Sequence, residues 1–235
     1  MALAVLALAL AGCGTEQTGP KGPVERSGEA APTAAPTSAP TEAQELAADP
    51  GTRYTKVVVP TTMEGQVCDE GDGGFHFGSD LDMSVTGDDG LKEIEDDGGD
   101  IADEISCSGS PQIILRKGTR SAAAPTFTAR TKLYEKIQDP KASLDRIFGH
   151  TMHLEEGYGR NLVGKPQLGA SRTMVIKCQQ NVTDTFPMTT CLWANYGAAG
   201  VVDFFPFDGQ YIPVASASRM TQDFVTRALG LPAGS

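Results

Sequence analysis

Two cysteines that lie at equal distances from the middle of a polar loop constrain the fold of this chain more than any other feature. Segments 172–178 and 190–196 are rich in β-branched or aromatic residues, which favour strands. If the loop between them closes a hairpin about positions 184 and 185, Cys178 and Cys191 lie directly opposite each other. Directly opposed residues have Cβ atoms close enough for a disulfide. The spacing therefore predicts an antiparallel hairpin with a cross-strand bridge.

The same register places Ile176 opposite Trp193, on the face that carries the two cysteines. We therefore expect Trp193 to be a core residue packed beside the bridge. The alternative for this indole is an exposed surface on which a ligand stacks.

The N-terminus is predicted to be an export signal. Residues 2–10 are an unbroken run of Ala, Leu and Val, too short to span a bilayer but suited to a signal peptide. The next residues, Leu-Ala-Gly-Cys at 10–13, resemble the bacterial lipobox, in which the cysteine receives a diacylglycerol and becomes the new N-terminus. We expect lipidation of Cys13 and anchoring on the outer face of the cell membrane. An ordinary cleaved signal with an incidental cysteine is the alternative.

Domain boundaries follow from composition. Residues 1–13 are assigned to the signal peptide and lipobox. Residues 14–50 hold six prolines among Ala, Thr, Ser, Gly and Glu, and this composition predicts a disordered tether. Residues 51–235 are long enough to form one disulfide-bonded extracytoplasmic domain.

The remaining cysteines are even in number, and the export signal sends them to an oxidising compartment, where disulfides are the default. Three connectivities exist for Cys68, Cys107, Cys178 and Cys191. The hairpin register selects Cys178 with Cys191, which leaves Cys68 to pair with Cys107. A zinc site is the rival interpretation, but no C-x-x-C spacing supports it.

Charge is distributed unevenly along the chain. The net charge of −11 divides into −4 for residues 1–50, −12 for residues 51–110 and +5 for residues 111–235. This balance argues against a nucleic-acid partner. The acidic block 64–104 is expected to attract divalent cations weakly, since its Gly-interrupted runs at 69–74 and 96–100 do not fit an EF-hand loop.

Further elements are predicted from periodicity. Segments 55–59, 112–115 and 126–134 favour strands. Two short amphipathic helices in the acidic block would place these apolar residues on one side: Leu91, Ile94, Ile101, Ala102 and Ile105.

Two longer helices complete the set of predicted elements. Asp139 and Pro140 provide a cap and a first helical residue, with Leu144, Ile147 and Phe148 on one face. Segment 218–229 is predicted to be the last helix.

The predicted fold class is α+β. A glycine turn at 197–200 would lead from the hairpin into a third strand at 201–205, giving a C-terminal three-stranded antiparallel meander. Helices would flank this sheet, and the domain would follow a disordered tether.

Residues 112–230 resemble a family of uncharacterised actinobacterial lipoproteins and secreted proteins. The resemblance rests on an Asp-Pro helix start at 139–140, a Lys-Cys strand at 175–179 and the Cys-Leu-Trp-Ala-Asn segment at 191–195, followed by Gly200-Val201-Val202. The family usually has Asp at the position of Asn195, and often a Ser/Thr pair where this chain has Ala198-Ala199. The resemblance implies a fold and an extracytoplasmic location, and no activity.

Motifs for catalysis are sparse. His150, His153, Glu155 and Glu156 could approach one another on a helix as metal ligands, but the H-E-x-x-H pattern is absent and a solvated helix end fits better. His76 is expected to point outward from a strand. No nucleophile elbow, phosphate loop or dinucleotide motif is present in the sequence, so no catalytic, cofactor-binding or metal residue is assigned.

Two functions therefore remain open from the sequence. The first is a membrane-anchored, non-catalytic module that binds an envelope protein or ligand. The alternative is a small extracytoplasmic hydrolase or metal-dependent enzyme, for which a deep pocket lined by His150, His153 and a carboxylate would be expected.

Overall fold

A computed structural model describes residues 45–71, 91, 94, 103–110, 112–117, 120–157, 159–182, 187–205 and 207–230. Its strands are β1 Thr62–Met63, β2 Gln66–Glu70, β3 Asp103–Ser108, β4 Ile113–Lys117, β5 Arg120–Ala124, β6 Phe127–Leu133, β7 Asn161–Ala170, β8 Val175–Val182, β9 Pro187–Ala194 and β10 Ala198–Phe204. Its long helices are α1 Pro140–Gly157 and α2 Val214–Ala228.

Eight of these strands form one antiparallel sheet in the order β1-β2-β3-β6-β10-β9-β8-β7, and β4 and β5 form a separate hairpin. The predicted α+β class and its C-terminal meander are confirmed. The meander contains one strand more than expected, because β7 pairs with β8 ahead of the predicted hairpin.

The predicted hairpin register is also confirmed. Cys178 lies opposite Cys191, and Ile176 lies opposite Trp193. Cys178 is bonded to Cys191, and Cys68 to Cys107, in positions that are direct cross-strand partners in both cases. Because disulfides persist in oxidising compartments, the two bridges indicate an extracytoplasmic protein.

The central strands are buried on both faces, and alternate residues of β9 show how. Cys191 and Trp193 belong to the apolar cluster that α2 covers, whereas Leu192 and Ala194 belong to the cluster that α1 covers. All four bridged cysteines lie in the cluster beneath α2. Both disulfides therefore lie in the hydrophobic core and not on the surface.

The first helix begins where the sequence predicted. The Asp139 carboxylate accepts a hydrogen bond of 3.0 Å from the backbone N–H of Ala142, so Asp139 caps α1. Leu144 and Ile147 are completely buried against the sheet, and Phe148 is nearly so. The second helix begins at Val214, four residues before the predicted start, and it buries Phe224 and Val225.

Two predicted elements differ in the structure. Segment 55–59 is not a strand, and its only ladder contact among the described residues is a bridge between Val57 and Leu229. Ile105, expected on a helix, lies in β3 between β2 and β6. Ile101 and Ala102 lie outside the described residues.

The glycine turn is also displaced. Gly200 lies inside β10, and the connection between β9 and β10 is formed by residues 195–197. The side chain of Asn195 provides the turn signal, because its Oδ1 accepts hydrogen bonds from the N–H groups of Gly197 and Ala198 at 2.9 and 2.8 Å.

Candidate functional site

The two histidines that the sequence singled out do not form a metal site with Glu155. His150 and His153 lie within α1, where His153 is exposed, while Glu155 points inward and is completely buried. Among the described residues, no group of three or more His, Cys, Asp or Glu side chains is placed to hold a metal ion. The segment is the end of a helix, as predicted, with His153 and Glu156 exposed, and the exception is Glu155, which is buried.

Trp193 occupies the place that the hairpin register predicted. It is completely buried in the cluster beneath α2, together with Cys178 and Cys191. Its indole is therefore a core group and offers no stacking surface.

Several predicted features lie outside the described residues. These are Cys13, the segment 14–44, His76, and the acidic runs beyond Gly71. In the part of the chain that the structure describes, no helix is both long and apolar enough to cross a membrane.

A buried polar network lies between α1 and the sheet. Thr190 Oγ1 is 2.6 Å from Asp203 Oδ1 and 3.3 Å from Glu155 Oε1, and the Asn181 amide donates to it at 3.2 Å. Arg160 Nη1 lies 3.4 Å from the same Glu155 oxygen. Glu155, Thr190 and Asn181 have no exposed surface, and Asp203 is 4% exposed.

The hydrogen-bond inventory of this network favours a neutral Glu155. A threonine hydroxyl has one hydrogen, and the short contact assigns it to Asp203. Glu155 can then bond to Thr190 only by donating a proton of its own. Burial, with a smaller contribution from Asp203, raises the pKa of Glu155 to about 8, although Arg160 and Thr190 oppose the shift.

Sequence reasoning missed the partners of Glu155. A local signal existed in Asp203, a lone acidic residue inside the apolar strand β10, directly opposite Thr190. Because each member of the network is sealed beneath α1, this cluster is a structural element of the core and not a site that reaches a ligand.

The feature that does reach the surface is a groove of about 350 Å³ formed by segments 46–54, 172–173 and 195–197. This volume lies at the lower end of the range for small-molecule sites. Its walls come from segment 46–54, the β7–β8 turn and the β9–β10 turn. We call it the turn groove.

Hydrogen bonds hold the N-terminal wall of the turn groove in place. The backbone N–H of Ala47 donates to the carbonyl of Arg172 at 3.0 Å, and the Tyr196 hydroxyl donates to the carbonyl of Ala47 at 3.2 Å. The Asn195 amide donates to the Tyr54 hydroxyl at 3.3 Å. Residues 45–50, which composition assigned to the tether, thus contact the domain.

The segment continues along the domain beyond the groove. The Arg53 guanidinium forms an ion pair of 2.9 Å with Asp49 and donates to the carbonyl of Glu135. Further on, the N–H of Val58 donates to the carbonyl of Ala228 at 2.7 Å. This hydrogen bond joins the described N-terminal segment to the end of α2.

No sequence pattern indicated the turn groove, because segment 46–54 is more than a hundred residues away in the chain from segments 172–173 and 195–197. Comparisons with protein-family models, curated proteins and solved structures found no match to this chain.

Proposed function

We propose that this chain is an extracytoplasmic lipoprotein, anchored through lipid on Cys13, whose folded domain is a non-catalytic binding module of the cell envelope. The turn groove is the observation that carries the binding role. It is an open, mostly apolar concavity with a few polar groups from two turns, which is the usual composition of a ligand site.

The anchor is supported by independent features. The apolar run at 2–10 and the Leu-Ala-Gly-Cys sequence precede a domain that carries two disulfides. Acyl chains contribute about 0.8 kcal/mol for each buried CH₂, so two or three chains on Cys13 hold a protein on a membrane without a transmembrane helix.

The burial of two acidic side chains, Glu155 and Asp203, supports a non-catalytic function. A general acid or base must reach the proton that it transfers, either directly or through one water molecule. Glu155 and Asp203 instead face Thr190 inside the core, with 0% and 4% exposure. Neither carboxyl group is therefore placed to exchange a proton with a bound substrate.

The anchor is tested with Cys13→Ser in the full-length protein. We expect the variant to leave the membrane fraction or to retain its signal peptide, and we expect mass spectrometry of the unaltered protein to find lipid on Cys13. Unmodified Cys13 in membrane-bound protein would contradict the anchor.

The binding role is tested by filling the turn groove. Ala48→Trp places a large side chain on an exposed position of the wall, and Ala215→Trp makes the same change on the exposed surface of α2. Native mass spectrometry of proteins isolated from their own envelope should detect a small-molecule adduct on the unaltered protein and on Ala215→Trp, with a smaller fraction on Ala48→Trp. Equal adduct fractions on all three proteins, or none on any, would contradict the role of the groove.

A further inference from the structure

The turn groove has one formally charged side chain in its lining, Arg172, in a chain whose net charge is −11. Arg172 is exposed at the β7–β8 turn. Within the described part of the chain, its guanidinium has no ion pair or hydrogen bond, and only its backbone carbonyl is engaged, by Ala47. The groove therefore presents a single uncompensated positive charge.

Asp49, next to the lining residues Ala48 and Pro50, does not neutralise this charge. Asp49 pairs with Arg53 through contacts of 2.9 and 3.1 Å. The side-chain hydrogen bond from Arg53 and the backbone N–H of Gly51 lower the pKa of Asp49 to about 2. The charges of Asp49 and Arg53 thus neutralise each other, and Asp49 does not pair with Arg172.

Apart from Thr52, Thr173 and Asn195, the rest of the lining is apolar or aromatic. Leu46, Pro50 and the rings of Tyr54 and Tyr196 face the same space. The Asn195 side chain is committed to its turn and to Tyr54. A volume of about 350 Å³ holds about a dozen non-hydrogen atoms, if each needs roughly the 30 Å³ of a liquid water molecule.

These features define the ligand class. We propose that the turn groove binds a small monocarboxylate with an apolar body of about a dozen non-hydrogen atoms, whose carboxylate is bound by Arg172. A guanidinium matches a carboxylate in geometry and charge, and the apolar body gains from leaving water against the tyrosine and proline surfaces. This inference rests on the binding role proposed above.

Calorimetric titration of the whole folded protein tests the charge preference with three compounds of one shape: 4-phenylbutanoate, 4-phenylbutanol and 4-phenylbutylamine. We expect the acid to bind roughly tenfold more tightly than the alcohol, as for loss of one charged hydrogen bond, and the amine to bind most weakly. Decanoate, with a similar number of non-hydrogen atoms, tests whether the apolar body of the ligand is aliphatic or aromatic. Either order of affinity between the two acids agrees with the proposal, because both are monocarboxylates of the proposed class.

Variants locate the preference. Arg172→Gln should make the acid and the alcohol bind equally while the backbone bond from Ala47 remains. Arg219→Gln removes the same charge from an exposed arginine outside the groove and should change nothing. An acid preference that survives Arg172→Gln, or an alcohol or amine that binds the unaltered protein as tightly as the acids, would overturn the inference.

Failure of the inference and failure of the binding role are distinguishable. If none of the compounds binds while Ala48→Trp still removes the adduct from the native protein, the ligand class is wrong and the groove remains a binding site. If Ala48→Trp leaves the native adduct unchanged, both proposals are wrong.

Discussion

Gly200 and Trp193 are direct cross-strand partners, and the indole of Trp193 fills the space in which a side chain at position 200 would begin. A Cβ at position 200 would lie 2.7 Å from the indole Nε1 and in contact with the backbone oxygen of Arg130. Trp193 is completely buried, so its ring cannot turn aside into solvent. The absence of a side chain at 200 is thus a condition for the indole of Trp193 to pack this closely against β10.

Gly200→Ala should therefore destabilise the domain although it adds one methyl group. Overpacking of a filled core costs about 1–3 kcal/mol, and we expect a loss near the upper end because the obstruction includes backbone. Urea unfolding followed by circular dichroism measures this loss.

Gly149→Ala is the matched control. Gly149 lies within α1, and a Cβ there would meet no atom within 4 Å. Alanine in a helix interior is favoured over glycine by about 0.5–1 kcal/mol, so this variant should gain stability. Equal effects at the two positions would contradict the steric explanation for Gly200.

The buried Glu155 should make stability depend on pH. Its pKa is raised from 4.5 to about 8 in the folded protein, chiefly by burial, so the folded state retains a proton that the unfolded state releases between these values. The free energy of unfolding should therefore fall as pH rises from about 5 to about 8, by at most about 1.4 kcal/mol per pH unit.

Glu155→Gln tests this dependence, since a neutral amide has a similar shape and can still donate to Thr190. The variant should show a shallower decline over the same pH range than the unaltered protein, whereas Glu156→Gln, on the exposed side of α1, should show the full decline. Parallel curves for Glu155→Gln and the unaltered protein would mean that Glu155 does not take up the proton.

The two disulfides should differ in their contribution to stability. They close chain segments with separations of 39 and 13 residues, for which the chain-entropy model gives about 4 and about 3 kcal/mol. Replacing both members of each pair with alanine should destabilise the domain more for Cys68 and Cys107 than for Cys178 and Cys191. The reverse order in urea unfolding would show that packing of the hairpin bridge outweighs loop closure.

The hydroxyl of Tyr196 should hold the segment around Ala47 against the domain. Tyr196→Phe removes the hydroxyl that bonds to the carbonyl of Ala47, at a cost of about 0.5–1.5 kcal/mol. Hydrogen exchange of the Ala47 amide should become faster in this variant. Tyr211→Phe, outside the groove, is the control and should leave that amide unchanged. No change in either variant would mean that the Tyr196 bond does not hold the segment.

The elements that sequence reasoning predicted are those specified by local pattern. The β8–β9 register follows from parity about a single loop, and that register fixes Trp193 in the core and Cys178 beside Cys191. The start of α1 follows from an aspartate and a proline in adjacent positions.

The features that were missed depend on contacts between distant segments. Residues 55–59 have the β-branched composition of a strand, but among the described residues their one β-bridge joins Val57 to Leu229. Gly200 was predicted to lie in a turn, because glycine is common in turns. In the structure a glycine is required there because a side chain at position 200 would collide with Trp193 on the neighbouring strand. The turn groove could not be predicted, because its walls meet only after the sheet has formed.

The attachment of segment 45–60 also determines how the domain responds to a mechanical load. A pull on the chain at its N-terminal end acts first on the bonds of Ala47, then on Asp49 and Arg53, and then on the bridge from Val57 to Leu229. Peeling would stop at Cys68, which is covalently joined to Cys107 on the next strand. Because the peeled stretch includes one wall of the turn groove and β1, tension would dismantle the groove and remove β1 from the sheet, while β3 to β10 and both helices remained folded.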